Sequence, residues 1–600
     1  MQDIMPASPS PPADSAAPVA PPAPARPQIS TDVITAPPPV GSATIVALIQ
    51  SLVQEGVLTQ DRASALIRQA RDEAATAARA PDVVASLAPR PGPISPLAGN
   101  APPPAGAPQQ PAQTASAEPP SIRVPYIPQI VRNQIKTEIE QELQQKALAA
   151  APPEATPQWA TRFHFYGDFR TRYEWDLFDP RNSDSFINFA AINSGPPFDL
   201  QNSAGLLPPT LDTTDDRERA RIRLRLGLNV DITNKFTAGI RLASGNTTNP
   251  VTTNQNLGTT LNKNNLLIDR AFLQYRPFEG ASFWVGRFPN PWLYTDLVWD
   301  EDINFDGAAG QFQTNINKDF RVIATGGAFP IETSAFNFPD NSLNKVKSRD
   351  KWLYAGQLGV DWQANRDYTI KFGAAYYHFD SIEGKLSSPC LAAVAAASCD
   401  TDNSRPGFQQ QGNTLFAIRD LLPVDPSKPP DQQPLFQYFG LASNFQELNV
   451  TTQVDVNFTP LHLIFDGDFV INLGFNKNRI EALHPVNNRG PITASDPLGP
   501  YQGGNIGFQA RLTFGYPVLL NRWDWNVFAA YRYLQSDSVV DAFTDSDFHL
   551  GGTNAKGYIV GAGLGVAQGV NLSARWLSAS EVSGLPYTVD VVLVDVNASF

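Results

Sequence analysis

Arginine occupies positions 217, 219, 221, 223 and 225, and Ala220, Ile222, Leu224, Leu226, Leu228 and Val230 alternate with the later ones. A period of two puts successive side chains on opposite faces of a β-strand, with all five guanidiniums on one face. In a soluble sheet the arginine face meets water. In a membrane barrel it meets a wet lumen while the aliphatic face meets lipid. Arg170 and Arg172 alternate in the same way on the preceding predicted strand and extend the basic patch. A second charged set lies in NPWLYTDLVWDEDINFDG (290–307), which holds Asp296, Asp300, Glu301, Asp302 and Asp306. If this loop folds inward, acids face arginines and a transverse field crosses the narrowest section. Such a field orients dipolar solutes and sets ion preference. The plainer reading is that the arginines form salt bridges to neighbouring acids, and the two readings are compatible.

Other chemistry is thinner. Asp300, Asp302, Asn304 and Asp306 alternate oxygen ligands as calcium loops do, but Phe305 stands where an EF-hand loop needs glycine and Gln311 where it needs glutamate. No cofactor is therefore expected, with calcium at the acidic loop as the lesser alternative. Cys390 and Cys399 are the two cysteines, and in an oxidising compartment a disulfide that staples a loop is expected. The five histidines, His164, His378, His462, His484 and His549, stand beside neither a GxSxG elbow nor an HExxH pair, so no enzyme is expected.

These residues need elements to hold them. The 600-residue chain carries 45 basic and 58 acidic residues, a balance of −13 that does not favour nucleic acid. No run approaches the ~18 apolar residues of a membrane helix, so any crossing would fall to a closed barrel. Of 61 aromatic residues only Tyr126 precedes position 157, while 29 of 54 prolines lie in 1–157. Such a segment builds little core. It divides into a disordered Pro/Ala-rich stretch (1–41), a helical hairpin (42–80), a disordered linker (81–120) and an amphipathic helix (121–150). That last helix carries Val131, Ile135, Ile139 and Leu143 on one stripe, a solvated helix or a short coiled coil aiding a trimer. An exported barrel is expected to follow a secretion signal. Residues 1–12 lack its basic and apolar regions, so the sequence is expected to start after the cleavage point or to have been trimmed.

Residues 158–600 read as an all-β transmembrane barrel of about sixteen antiparallel strands. The predicted strands are 161–174, 217–232, 235–245, 265–277, 281–288, 308–316, 319–329, 351–364, 367–380, 444–458, 462–478, 503–517, 522–537, 553–567, 569–582 and 587–600. Many run longer than the ~5–6 residues usual in soluble sheets. Tight turns near 233–235, 278–280, 317–319, 364–367 and 567–569 alternate with long loops, an asymmetry expected of a bacterial outer-membrane barrel. The last strand ends on Phe600 with Val592, Val594, Val596 and Ala598 on its face.

GDFRTRYEW, RARIRLRLGL, NPVTTNQNLG, IDRAFLQYRP and GRFPNPW…TDLVWDEDINFDG resemble the bacterial putative porin family of Gram-negative outer membranes, as does RVPYIPQIVRNQIKTEIEQEL ahead of the barrel. The resemblance is closest over about 121–330. It implies a sixteen-stranded barrel, commonly trimeric, whose acidic third loop narrows the pore opposite arginines. The implied activity is passive diffusion of small hydrophilic solutes. The implied surroundings are outer-membrane lipid and lipopolysaccharide, a barrel-assembly machinery that reads Phe600, and a periplasm that holds the N-terminal extension. The alternatives are a substrate-specific or gated channel, or an anchor that uses the extension as a tether. The acidic balance leans ion preference towards cations.

Overall fold

The computed structural model describes residues 159–600 apart from 202–204, 341, 494–495 and 497–498. The predicted hairpin, linker and amphipathic helix of 1–150 lie outside the described residues. The body is a closed antiparallel barrel. Its strands are β1 (Phe163–Phe178), β2 (Arg217–Asp231), β3 (Phe236–Ser244), β4 (Leu266–Tyr275), β5 (Ala281–Pro289) and β6 (Asn304–Asn317). They continue as β7 (Phe320–Glu332), β8 (Lys351–Gln363), β9 (Tyr368–Asp380), β10 (Gln446–Asn457) and β11 (His462–Asn472). The last five are β12 (Ile506–Gly515), β13 (Trp525–Leu534), β14 (Ala555–Ala567), β15 (Val570–Glu581) and β16 (Thr588–Ser599). Each pairs with its sequence neighbour, and β1 closes the ring against β16 from Asp168↔Ser599 to Phe178↔Val589. All sixteen overlap the strands expected from alternation.

The faces are inverted relative to a soluble barrel. On β1 the outward Phe163, Phe165, Phe169 and Tyr173 are exposed, whereas the inward His164, Arg170, Arg172, Glu174 and Asp176 are buried. Outward Trp525 and Val527 on β13 repeat the pattern, as do Tyr368, Phe372 and Tyr376 on β9. An exposed face this apolar, ringed by aromatics, is stable only against lipid. No described helix is long and apolar enough to cross a membrane, so the crossing falls to the strands.

The seven connections at one end are tight or short, and those at the other are mostly long. Four of the long ones carry the argument below: L2 (245–265), L3 (290–303), L5 (381–445) and L7 (535–554). They do not stay outside the barrel. Trp292, Leu297, Val298 and Trp299 of L3 are buried in one apolar core with Phe329 of β7, Tyr377 and Phe379 of β9, Phe416 and Phe439 of L5, and Val540 of L7. Trp299 meets Tyr377 edge-on at 5.2 Å and lies 5.8 Å from Phe543. L7 then crosses to the opposite wall, where Phe548 joins Leu577, Val589 and Val591 in a second apolar cluster. The long-loop half of the lumen is therefore filled by packed side chains.

Two glycines make L3 turn inward. Gly286 and Gly307, paired across β5 and β6, both have φ in the left-handed region (110° and 132°), and an added Cβ would strike the backbone of the flanking strands. The kink lets L3 leave the wall. It also loosens the wall itself, because β4 pairs with β5 only from Ala271↔Arg287 to Tyr275↔Phe283. A cavity of 760 Å³ is lined by both edges of that gap, among them Asp269, Arg287 and Asp306, together with L2 and Phe543.

Candidate functional site

All five arginines of β2 and both of β1 point inward, and each has a carboxylate partner. In the β1–β2 register Arg172 lies opposite Arg221, Glu174 opposite Arg219 and Asp176 opposite Arg217. Arg217 Nε donates to Asp176 across 2.7 Å. Arg219 bridges Glu174 and Asp176, and Arg221 Nη1 reaches Glu174 at 2.8 Å. Arg223 and Arg225 share Asp168, at 3.0 and 2.7 Å. Arg172 holds Asp595 of β16 at 2.7 Å and Asp547 of L7 at 2.9 Å. Acids were thus supplied by β1 itself, which alternation of β2 alone could not reveal.

L3 lies against this ladder in direct contact rather than across an open slot. Glu301 Oε1 accepts from Arg170 at 3.4 Å and from Arg223 at 3.3 Å. Asp302 accepts from Arg225 Nη1 at 3.1 Å, and its other oxygen accepts from the Thr253 backbone and hydroxyl. Burial opposes ionisation of both acids, but the guanidiniums, Arg223 first, outweigh it and hold them below the usual carboxylate range. Asp296 faces the other wall, 2.9 Å from Arg532 and 3.2 Å from Arg511. Asp300 meets no arginine; it accepts the backbone N–H groups of Asp302 and Ser546. Burial, with Asp302 and Asp545 nearby, pushes Asp300 well above its usual value.

Asp306 corrects the expected loop. β6 begins at Asn304, two residues before Asp306, which stands on the outer side of the wall 2.8 Å from Arg287. Its side chain is half exposed. Asp300, Asp302 and Asp306 diverge to separate partners, and among the described residues no group of three His, Cys, Asp or Glu converges on one point.

Sequence reasoning missed L2 and L7. β3 stops at Ser244, so beside the outer half of β2 the wall is continued by Gln255 and Asn256 of L2, paired with Ile222 and Arg221. The preceding residues then turn inward, and Asn254 Oδ1 accepts from Arg170 Nη2 at 2.9 Å. L7 is sewn to L3 by hydrogen bonds: Asp300 N donates to Phe543 O, and the Thr544 hydroxyl donates to Leu297 O. The one available signal was the segment NPVTTNQNLG (249–258), polar and uncharged in the middle of the loop that precedes β4.

Cys390 and Cys399 are joined as expected, within L5. Phe600 follows the closing strand; Gly167 N donates to Phe600 O and Phe600 N to Gly167 O, at 2.9 and 3.1 Å. Gly167 is needed there, since a Cβ would lie 2.6 Å from the Phe600 ring.

A closed sixteen-stranded barrel with an apolar exterior, a charged interior and a loop folded into its lumen is a transmembrane channel of outer-membrane type. The chain belongs to the family described as "Putative porin", whose model matches residues 42–600. Among solved structures, similarity extends to the outer membrane channel DcaP of Acinetobacter baumannii (11% identity, 73% of this chain and 97% of that one, TM-score 0.35). It extends also to OprB of Pseudomonas putida at high pH (10%, 73% and 94%, 0.37) and to Salmonella typhi OmpF in complex with daunomycin (9%, 73% and 97%, 0.35). No curated protein matches the sequence.

Proposed function

We propose that the protein is a selective outer-membrane channel for small hydrophilic solutes, whose route runs along the arginine ladder. One observation carries this. Packed loops occupy the long-loop half of the lumen, but the guanidiniums of Arg217 and Arg219, and farther along the ladder the Glu301 carboxylate beside Arg170 and Arg223, keep exposure to water. A wide, open pore would leave L3 and L7 solvated rather than buried in a shared core. The same observation favours a substrate-selective or gated channel over unrestricted diffusion. The family's channel character and the apolar exterior support residence in the outer membrane, with folding by the assembly machinery there and contact with lipid and lipopolysaccharide as parts of the same reading. A homotrimer and a periplasmic extension belong to this reading as proposals, and so does the lack of a cofactor and of catalysis.

Single-channel recording in planar bilayers tests it. Small, stepwise conductance from the folded protein is expected, rising when L7 is shortened. A folded, heat-modifiable barrel that never conducts overturns the channel and leaves the tether.

A further inference from the structure

The outer end of the ladder has a layered arrangement of charge. Arg217, Arg219 and Arg221 retain 41%, 26% and 13% of their side-chain exposure, while their partners Glu174 and Asp176 retain 3% and 0%. The carboxylates therefore lie beneath the guanidiniums, and a solute in the lumen meets the cations. Three cations stand over two anions, so the layer also keeps a positive excess.

We propose that Arg217, Arg219 and Arg221 form a capture site for small oxyanions, carboxylate or phosphate, and give the channel a preference for anions. This rests on the channel reading above and names its substrate class. The guanidinium fork matches two oxygens of a carboxylate or phosphate. Side chains on one face of a strand recur every ~7 Å, so a small anion passes from rung to rung without crossing an uncharged gap. The buried acids fix the rotamers of the rungs, which lowers the ordering cost of binding. Arg575, 2.7 Å from Asp547, adds a cation from the neighbouring wall. Glu301, more exposed than the arginines it touches, is the counter-charge at the inner end that prevents an anion from lodging. The acidic balance of the whole chain favours cations only if its carboxylates face the route, and beneath Arg217, Arg219 and Arg221 they are covered.

The test is reversal potential in a potassium chloride gradient across a planar bilayer, followed by titration of inorganic phosphate or acetate on the long-loop side. Wild type is expected to prefer chloride, with phosphate or acetate blocking chloride current. The decisive variant is Arg217→Gln with Asp176→Asn, which leaves formal charge unchanged and strands no buried ion. Several-fold loss of chloride preference and weaker block are expected, and Arg217→Lys should retain the preference. Heat-modifiability on gels confirms that each variant is folded. A cation-directed wild-type potential overturns the proposal, as does a folded double variant with unchanged preference and block. A folded wild type with no conductance overturns the channel reading itself, and the capture site with it.

Discussion

Arg225 on β2 donates to Asp302 in L3 across 3.1 Å, while the second oxygen of Asp302 is taken by Thr253 of L2. One carboxylate therefore holds the wall and two loops in register. Asp302→Ala leaves a buried guanidinium and two L2 donors short of an acceptor, a loss on the order of 3–5 kcal/mol. The expected result is a lower unfolding temperature in detergent and noisier current through the bilayer. Asp302→Asn keeps acceptor capacity for Thr253 and should fall between the two. Equal unfolding temperatures for all three proteins would remove Asp302 from this role.

Glu301 separates selectivity from folding. When it becomes Gln, Arg170 retains Asn254 and Arg223 retains Asp168, so neither guanidinium is stranded. Glu301→Gln is expected to leave thermal stability close to wild type and to shift the reversal potential further towards anions. A shift towards cations would show that Glu301 does not face the permeating ion.

L7 carries a pH response. Burial, with Asp537 nearby, pushes the Asp541 carboxyl up to about 8. An unfolded or released loop would return it to about 4. The docked loop thus binds the extra proton between those values, and docking weakens as pH rises from about 4 to 8. Protease cleavage within 535–554 should be faster at pH 9 than at pH 6, and Asp541→Asn should flatten that difference. A wild type cleaved equally fast at both pH values would count against it.

The Cys390–Cys399 bridge closes a short ring inside L5 and touches neither the ladder nor L3. By loop-closure entropy such a ring contributes about 2–3 kcal/mol to local order. Replacing both cysteines with Ser should speed proteolysis near 390–400 while leaving conductance and reversal potential as they are. Changed selectivity would mean that L5 shapes the route directly.

Legibility in the sequence followed the range of each signal. Alternation is local, so Phe163, Phe165 and Phe169 announced an outward face and Arg217 to Arg225 an inward one without reference to the rest of the chain. Register is not local. That Glu174 and Asp176 would lie beneath Arg219 and Arg217 depends on how β1 slides against β2, and one residue of slip would turn either strand inside out. Asp306 was misplaced because Gly307, at a positive φ, kinks β6 without ending it. L3 read as acidic, yet Trp292, Leu297 and Trp299 in the same stretch decide how it packs. Thr253 and Asn254 carry no charge and left no signal of their own.

Where β3 ends at Ser244, two residues of L2 stand in for it beside β2. The stretch that completes the wall there is continuous with the stretch that grips Arg170 and Asp302. Loop exchange between relatives is usually pictured as changing a surface while sparing the scaffold. Here no such division exists: a transplanted 245–265 would arrive as architecture and as filter together, so lineages altering their solute range through this loop must renegotiate how the barrel shuts.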